Sequence, residues 1–178
     1  MSNSRQPSTP GAPLTDTLCT QCGLCCDGTL FGDVELAGRR EATRLEGLGL
    51  DVDSDDADVE LLALPCAGLR GTRCGVYEHR PQCCRTFECR LLQQAQRGEV
   101  TSAAALAQIH ATKARVTRVR TLLAGLEPRG STRLPLAERV ANALDAAPGG
   151  PPSASSQRRA LERAMTALTR TIRASFVD

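Results

Sequence analysis

Nine cysteines carry whatever chemistry this chain performs. Cys19, Cys22, Cys25 and Cys26 lie within "CTQCGLCC"; Cys66, Cys74, Cys83, Cys84 and Cys89 follow, and none lies beyond residue 89. A Cys-x2-Cys turn brings two sulfurs close enough to share one ion. Two overlapping turns, a doubled Cys and five further thiols make a strong pattern for metal ligation. Gly23, directly after Cys22, occupies the knuckle position where a left-handed backbone turns N–H groups towards sulfur.

The rival uses of thiols fit less well. Disulfides require an oxidising compartment, and the polar N-terminus "MSNSRQPSTPGAPLTDT" has no apolar secretory segment, so the expected location is the cytoplasm, where thiols stay reduced. A catalytic thiol needs an activating base. The two histidines are His79, read as structural between Glu78 and Arg80, and His110, read as a surface residue of a long helix. Cysteine as a small buried hydrophobe accounts for one or two scattered thiols, Cys83 among them, but not for the cluster.

Soft thiolates suit zinc and iron–sulfur clusters alike. In bacterial iron–sulfur runs the fourth Cys follows after three residues and precedes Pro; here Cys26 follows Cys25 at once and precedes Asp27. Eight thiolates could build two closed four-thiolate zinc sites, or ligate one cluster and leave four over. A zinc ion in four thiolates is formally dianionic. Arg70, Arg73, Arg80 and Arg85 lie among the later cysteines. Arg80 and Arg85 are expected to offset that charge and donate to sulfur.

The elements that must hold these thiols are short. Residues 1–16 read as a disordered Ser/Pro tail. "TLFGDVEL", "ELLAL" and "CGVYE" read as short strands, "RREATRLEGLGL" as a helix ending near Gly47 or Gly49, and "DVDSDDADVE" as a solvated acidic loop. One helix is expected from Pro81 through "QCCRTFECRLLQQAQ" to Gly98. Residues 101–127 form the clearest helix, with Thr101 or Ser102 as its cap and Pro128 beyond its end. Its apolar stripe is Ile109, Val116 and Leu123, with Thr112, Val119 and Leu126 three residues after each. "LPLAERVANALDA" is a further helix, 147–157 a flexible linker, and 157–176 a last helix whose Leu161 and Leu168 can pack on the first stripe. The expected organisation is a tail (1–16), a cysteine-cluster domain (17–98) and an α-helical region (99–178). The fold class is mainly α, with some β.

Composition explains why a metal would matter. The 178 residues include no Trp, one Tyr and three Phe. Aromatic side chains bury about 150–250 Å² each, so a chain this poor in them needs another source of stability. Residues 1–89 carry a net charge of −6 and residues 90–178 a net of +8. No segment approaches the roughly 20 apolar residues of a membrane span. The basic stretch "KARVTRVR" could meet nucleic acid, but one basic helix face is more simply a solvated surface. A protein partner on the C-terminal helices is the alternative.

"CTQCGLCC", then "PCAGL", then "RCGVYEHRPQCCRTFEC" together resemble the YkgJ-like cysteine-cluster family, zinc- or iron-chelating proteins with a CxxCxxCC motif. The resemblance covers about residues 17–90, with Val76 where the family pattern has Ile. It implies the ligands Cys19, Cys22, Cys25, Cys26, Cys66, Cys74, Cys84 and Cys89, with Cys83 at a variable position. Tyr77, Arg80, Pro81, Arg85 and Phe87 also fall on motif positions. It implies metal binding, zinc or iron, and no defined reaction. One related group, the flagellin lysine methylases, pairs such a cluster with methyl transfer, but residues 90–178 show no glycine-rich cofactor loop, so that activity is not carried over.

Overall fold

The computed structural model describes residues 13–54, 59–127, 131–145 and 152–177. Residues 1–12 of the expected tail, 55–58 of the acidic stretch, Pro128 and 147–151 of the expected linker lie outside them.

Helix α1 (Leu14–Cys22) begins three residues inside the expected tail. It ends because Gly23 adopts φ +73°, with its N–H bonded back to the Cys19 carbonyl. A side chain there would be strained and would also press on Thr72. Cys19 and Cys22, three apart, share one helix face.

Strands β1 (Asp33–Glu35), β2 (Val52–Ser54) and β3 (Glu60–Ala63) form an antiparallel sheet of order β1-β3-β2. The registers Val34↔Leu62 and Val52↔Leu62 stack apolar residues on one face. Helix α2 (Arg39–Glu46) covers that face, and Leu36, Ala42, Leu45, Leu50 and Leu62 form a small core. The acidic stretch is therefore not all loop. Val52 supplies an apolar residue to the sheet, and Asp53 can stay exposed because successive strand side chains alternate faces.

A hairpin of β4 (Leu69–Arg70) and β5 (Arg73–Cys74) leads to a 3-10 turn, Tyr77–His79. This corrects the expected "CGVYE" strand. The expected single helix after Pro81 is two, α3 (Gln82–Thr86) and α4 (Arg90–Gln96), parted by extended backbone at Phe87 and Cys89. Phe87 leaves the helix to meet Phe31 edge to face, ring centroids 5.2 Å apart.

Helices α5 (Ser102–Leu123), α6 (Leu136–Asp145) and α7 (Pro152–Ser175) complete the chain. Thr101 caps α5 by accepting from the Ala104 N–H. The stripe Ile109, Thr112, Val116, Val119 and Leu123 is buried as its spacing required. Thr112 tolerates burial because its hydroxyl donates to the Gln108 carbonyl one turn back. Helix α7 starts five residues before the expected 157, and lays Leu161, Leu168 and Ile172 on α5. The large core also takes in Leu18 and Leu24 from the first cysteine segment, with Leu91, Leu92 and Phe176. The cysteine segment is thus packed on the helical region rather than tethered to it. The fold is mainly helical with short strands, as expected, and no described helix is long and apolar enough to cross a membrane.

Candidate metal centre

All nine cysteines are free thiols. Four backbone devices converge them. The first is the last turn of α1, which presents Cys19 and Cys22. The second is the turn after Gly23, closed by the Cys26 and Asp27 N–H groups on the Gly23 carbonyl, which presents Cys25 and Cys26. The third is the hydrogen bond from Cys66 N–H to the Cys26 carbonyl, 2.8 Å, which pins the Pro-Cys segment against the first motif from 40 positions away. The fourth is the β4–β5 pairing of Leu69 with Cys74. Thr72 between them donates its hydroxyl to the Thr20 carbonyl, locking this hairpin to α1.

The thiols sense one another. Burial, with smaller contributions from the Cys89 and Cys19 charges, pushes Cys22 up to about 12. Burial also raises Cys25, with the Cys22, Cys26, Cys89 and Cys19 charges adding to it. Burial, followed by the Cys89 charge, raises Cys19 at the rim, where the Arg80 guanidinium pulls the other way. Burial pushes Cys26 up to about 11, with Cys66 and Cys74 the nearest thiol charges. Burial raises Cys66, and Cys74 adds to it. Cys84 is raised chiefly by its hydrogen bond with Cys83, then by burial, with Cys26 and Cys66 contributing. That same bond lowers Cys83 to about 7. The influences overlap: Cys25 is raised by Cys26 as well as by Cys22 and Cys89, and Cys26 by Cys19 as well as by Cys66 and Cys74. Cys83 packs partly against the small sheet core.

Backbone N–H groups already serve the sulfurs. Leu24 donates to Cys22, Gly68 and Leu69 to Cys66, and Leu91 and Leu92 to Cys89. Cys89 stands at the N-cap position of α4, so the break at residues 87–89 places its sulfur at the positive end of a helix rather than in a helix interior.

The donor set fits a soft cation. Sulfur is the soft donor supplied by the motif, and a cation would offset the charge of thiolates that burial disfavours. Among the described residues, no group of three or more His, Cys, Asp or Glu side chains stands close enough to grip an ion as placed. The fit rests on donor chemistry and topology, and side-chain rotation must bring the sulfurs onto an ion.

The arginines divide differently from expectation. Arg80 stacks on Tyr77, 3.7 Å from the ring centroid, and acts on Cys19. Arg85 instead donates to the Arg80 and Glu78 carbonyls, so it braces the loop before α3 rather than a sulfur. Arg70 is spent on the Ala67 and Leu69 carbonyls. His79 and His110 are exposed. Two residues of "KARVTRVR" turn towards the cluster: Lys113 donates to the Gln21 carbonyl at 2.9 Å, and Arg120 pairs with Asp27 at 3.0 Å.

Glu41 was missed altogether. Its carboxylate accepts from the Ala37 N–H, from Arg44 and from the Gln82 N–H that opens α3. It therefore fixes the helix that carries Cys83 and Cys84 from a position 41 residues earlier. No sequence pattern marks its bond to Gln82, because that partner is a backbone group 41 residues away. Glu41→Ala should cost about 0.5–1.5 kcal/mol through the lost hydrogen bonds, read by urea denaturation, and Glu41→Gln should recover part of it.

A family model described as "CxxCxxCC: Putative zinc- or iron-chelating domain" matches residues 18–115. No curated protein matches the chain, and no solved structure does.

Proposed function

The chain belongs to the CxxCxxCC family of zinc- or iron-chelating domains, and on that premise we propose that it is a metal-binding protein with two four-thiolate sites. Cys19, Cys22, Cys25 and Cys89 hold one ion; Cys26, Cys66, Cys74 and Cys84 hold the other. The observation that carries the reading is geometric: Cys19 and Cys22 share the last turn of α1, while the Cys66 N–H bond to the Cys26 carbonyl and the hairpin locked to α1 bring Cys66 and Cys74 to the first motif.

Four thiolates close a tetrahedral shell and leave no position for substrate, which is the pattern of structural zinc. The ions would supply folding energy and fix the relative placement of α1, the β4–β5 hairpin and α4. The backbone N–H groups on Cys22, Cys66 and Cys89 would share the thiolate charge. Nine reduced thiols suit a reducing compartment, the cytoplasm.

Metal analysis of protein purified without oxygen tests this. Two equivalents of zinc in a colourless protein support it. A brown protein with broad visible absorption and about four equivalents of iron replaces it with one iron–sulfur cluster. The assignment of thiols is tested separately. Cys84→Ser should lose about half the bound metal, while Cys83→Ser should keep all of it. The reverse pattern would shift the motif register by one residue.

A further inference from the structure

Asp27 follows Cys26 directly and is half-buried. Its N–H and that of Cys26 both close on the Gly23 carbonyl, so the carboxylate stands on the turn that presents Cys25 and Cys26. A fixed anion beside thiolates works against cation-bound sulfur, unless something cancels it. Its Oδ1 accepts from the Thr29 N–H, and its Oδ2 meets Arg120 Nη2 at 3.0 Å. Arg120 comes from α5, five residues past the end of the stretch that matches the family.

The arginine is held there at a local cost. Its Nε is buried without a hydrogen-bond partner among the described residues. A side chain placed for hydrogen bonding alone would not leave that donor unused. The same junction carries a backbone bond from Leu136 N–H to the Gly28 carbonyl, 2.9 Å, and the Lys113 bond to Gln21. The helices beyond residue 115 are therefore fastened to the end of the "CTQCGLCCDG" segment, at Asp27 and Gly28.

We propose that Arg120 is a positioning residue of the metal centre: it neutralises Asp27 and holds the Cys25–Cys26 turn, so that the helical region outside the family match sets how firmly metal is kept. This rests on the metal-binding reading above. A group acting through the carboxylate next to a thiolate tunes retention without touching the ion.

The test uses the zinc-loaded full-length chain and an excess of a chromophoric chelator, with zinc transfer followed in time. Arg120→Gln should release zinc roughly tenfold faster, at the low end of the 10–100-fold that outer partners of metal sites contribute. Arg120→Lys, which keeps the charge, should stay near the wild-type rate. The double variant Asp27→Asn/Arg120→Gln should return towards wild type, because the uncancelled anion is gone. A merely structural ion pair predicts otherwise: the double variant would release zinc as fast as Arg120→Gln. That result, or an Arg120→Gln rate equal to wild type, overturns the proposal while leaving metal binding standing. If the wild-type chain takes up neither zinc nor iron, the metal-binding reading itself falls.

Discussion

Stripping the metal from the full-length chain should strongly destabilise the structure between Cys19 and Cys89. Structural zinc sites contribute about 10–16 kcal/mol of apparent binding free energy at neutral pH. The small core of this half offers little in its place. It consists of Leu36, Ala42, Leu45, Leu50 and Leu62. A leucine contributes roughly 1.5–3 kcal/mol when fully buried, and ordering the surrounding backbone opposes it at about 1–2 kcal/mol per residue. Cys22→Ser should behave like partial stripping, with loss of one ion and a lower thermal midpoint. Circular dichroism before and after chelation reads the effect; an unchanged spectrum and midpoint would show that the ions are not structural.

The pH dependence should reverse sign with loading. Thiolate ligands must be deprotonated, so the loaded chain loses stability as pH falls and protons compete for sulfur. In the stripped chain, burial has raised Cys22 to about 12 and Cys26 to about 11, against an ordinary value of 9.0. Between those values the folded chain binds more protons than the unfolded one, so stability falls with rising pH. The contribution is fully present below pH 9.0 and is lost as pH climbs through 11 to 12. Denaturation midpoints of the stripped chain from pH 8 upwards check the sign.

Arg139→Ala should be the most damaging change away from the cysteines. Arg139 on α6 is only 8% exposed, and Glu127 takes both its Nε, at 2.9 Å, and its Nη2. Removing one partner leaves the other charge buried and alone, which costs about 3–5 kcal/mol. The pair itself is worth less than that figure. Arg139→Met with Glu127→Leu should therefore recover most of the loss, since neither variant then buries an unpaired charge. Urea denaturation of the single and double variants measures both. If Arg139→Ala loses no more stability than an exposed arginine would, the pair is wet rather than buried.

How much of this was legible follows from the range of each signal. The α5 stripe could be read because every residue of it answers one local period, and the core simply accepted it. Thr101, Gly23 and Gly98 punctuate helices through their own backbone preferences. The single helix expected after Pro81 failed because Phe87 is drawn out to Phe31, a contact across 56 positions that no local pattern contains. The acidic stretch was read by composition, and composition cannot register that Val52 faces Leu62. Arg80 and Arg85 fell on motif positions alike, yet only Arg80 acts on a thiol; Arg85 is captured by nearby carbonyls.

What the sequence determined by itself was the chemistry. Thiol count, spacing and order identify soft-metal ligation, because sulfur is the donor whatever its neighbours do, and the scarcity of aromatics makes a metal worth having. What only the tertiary structure decided was the grouping. Cys25 and Cys26 are adjacent in the chain, but folding joins Cys66 to Cys26 by a backbone hydrogen bond, locks the hairpin that carries Cys74 to α1, and breaks the helix before Cys89. Asp27 and Arg120, 93 positions apart, meet for the same reason: packing of Leu18 and Leu24 onto α5 brings together groups that sequence proximity keeps apart.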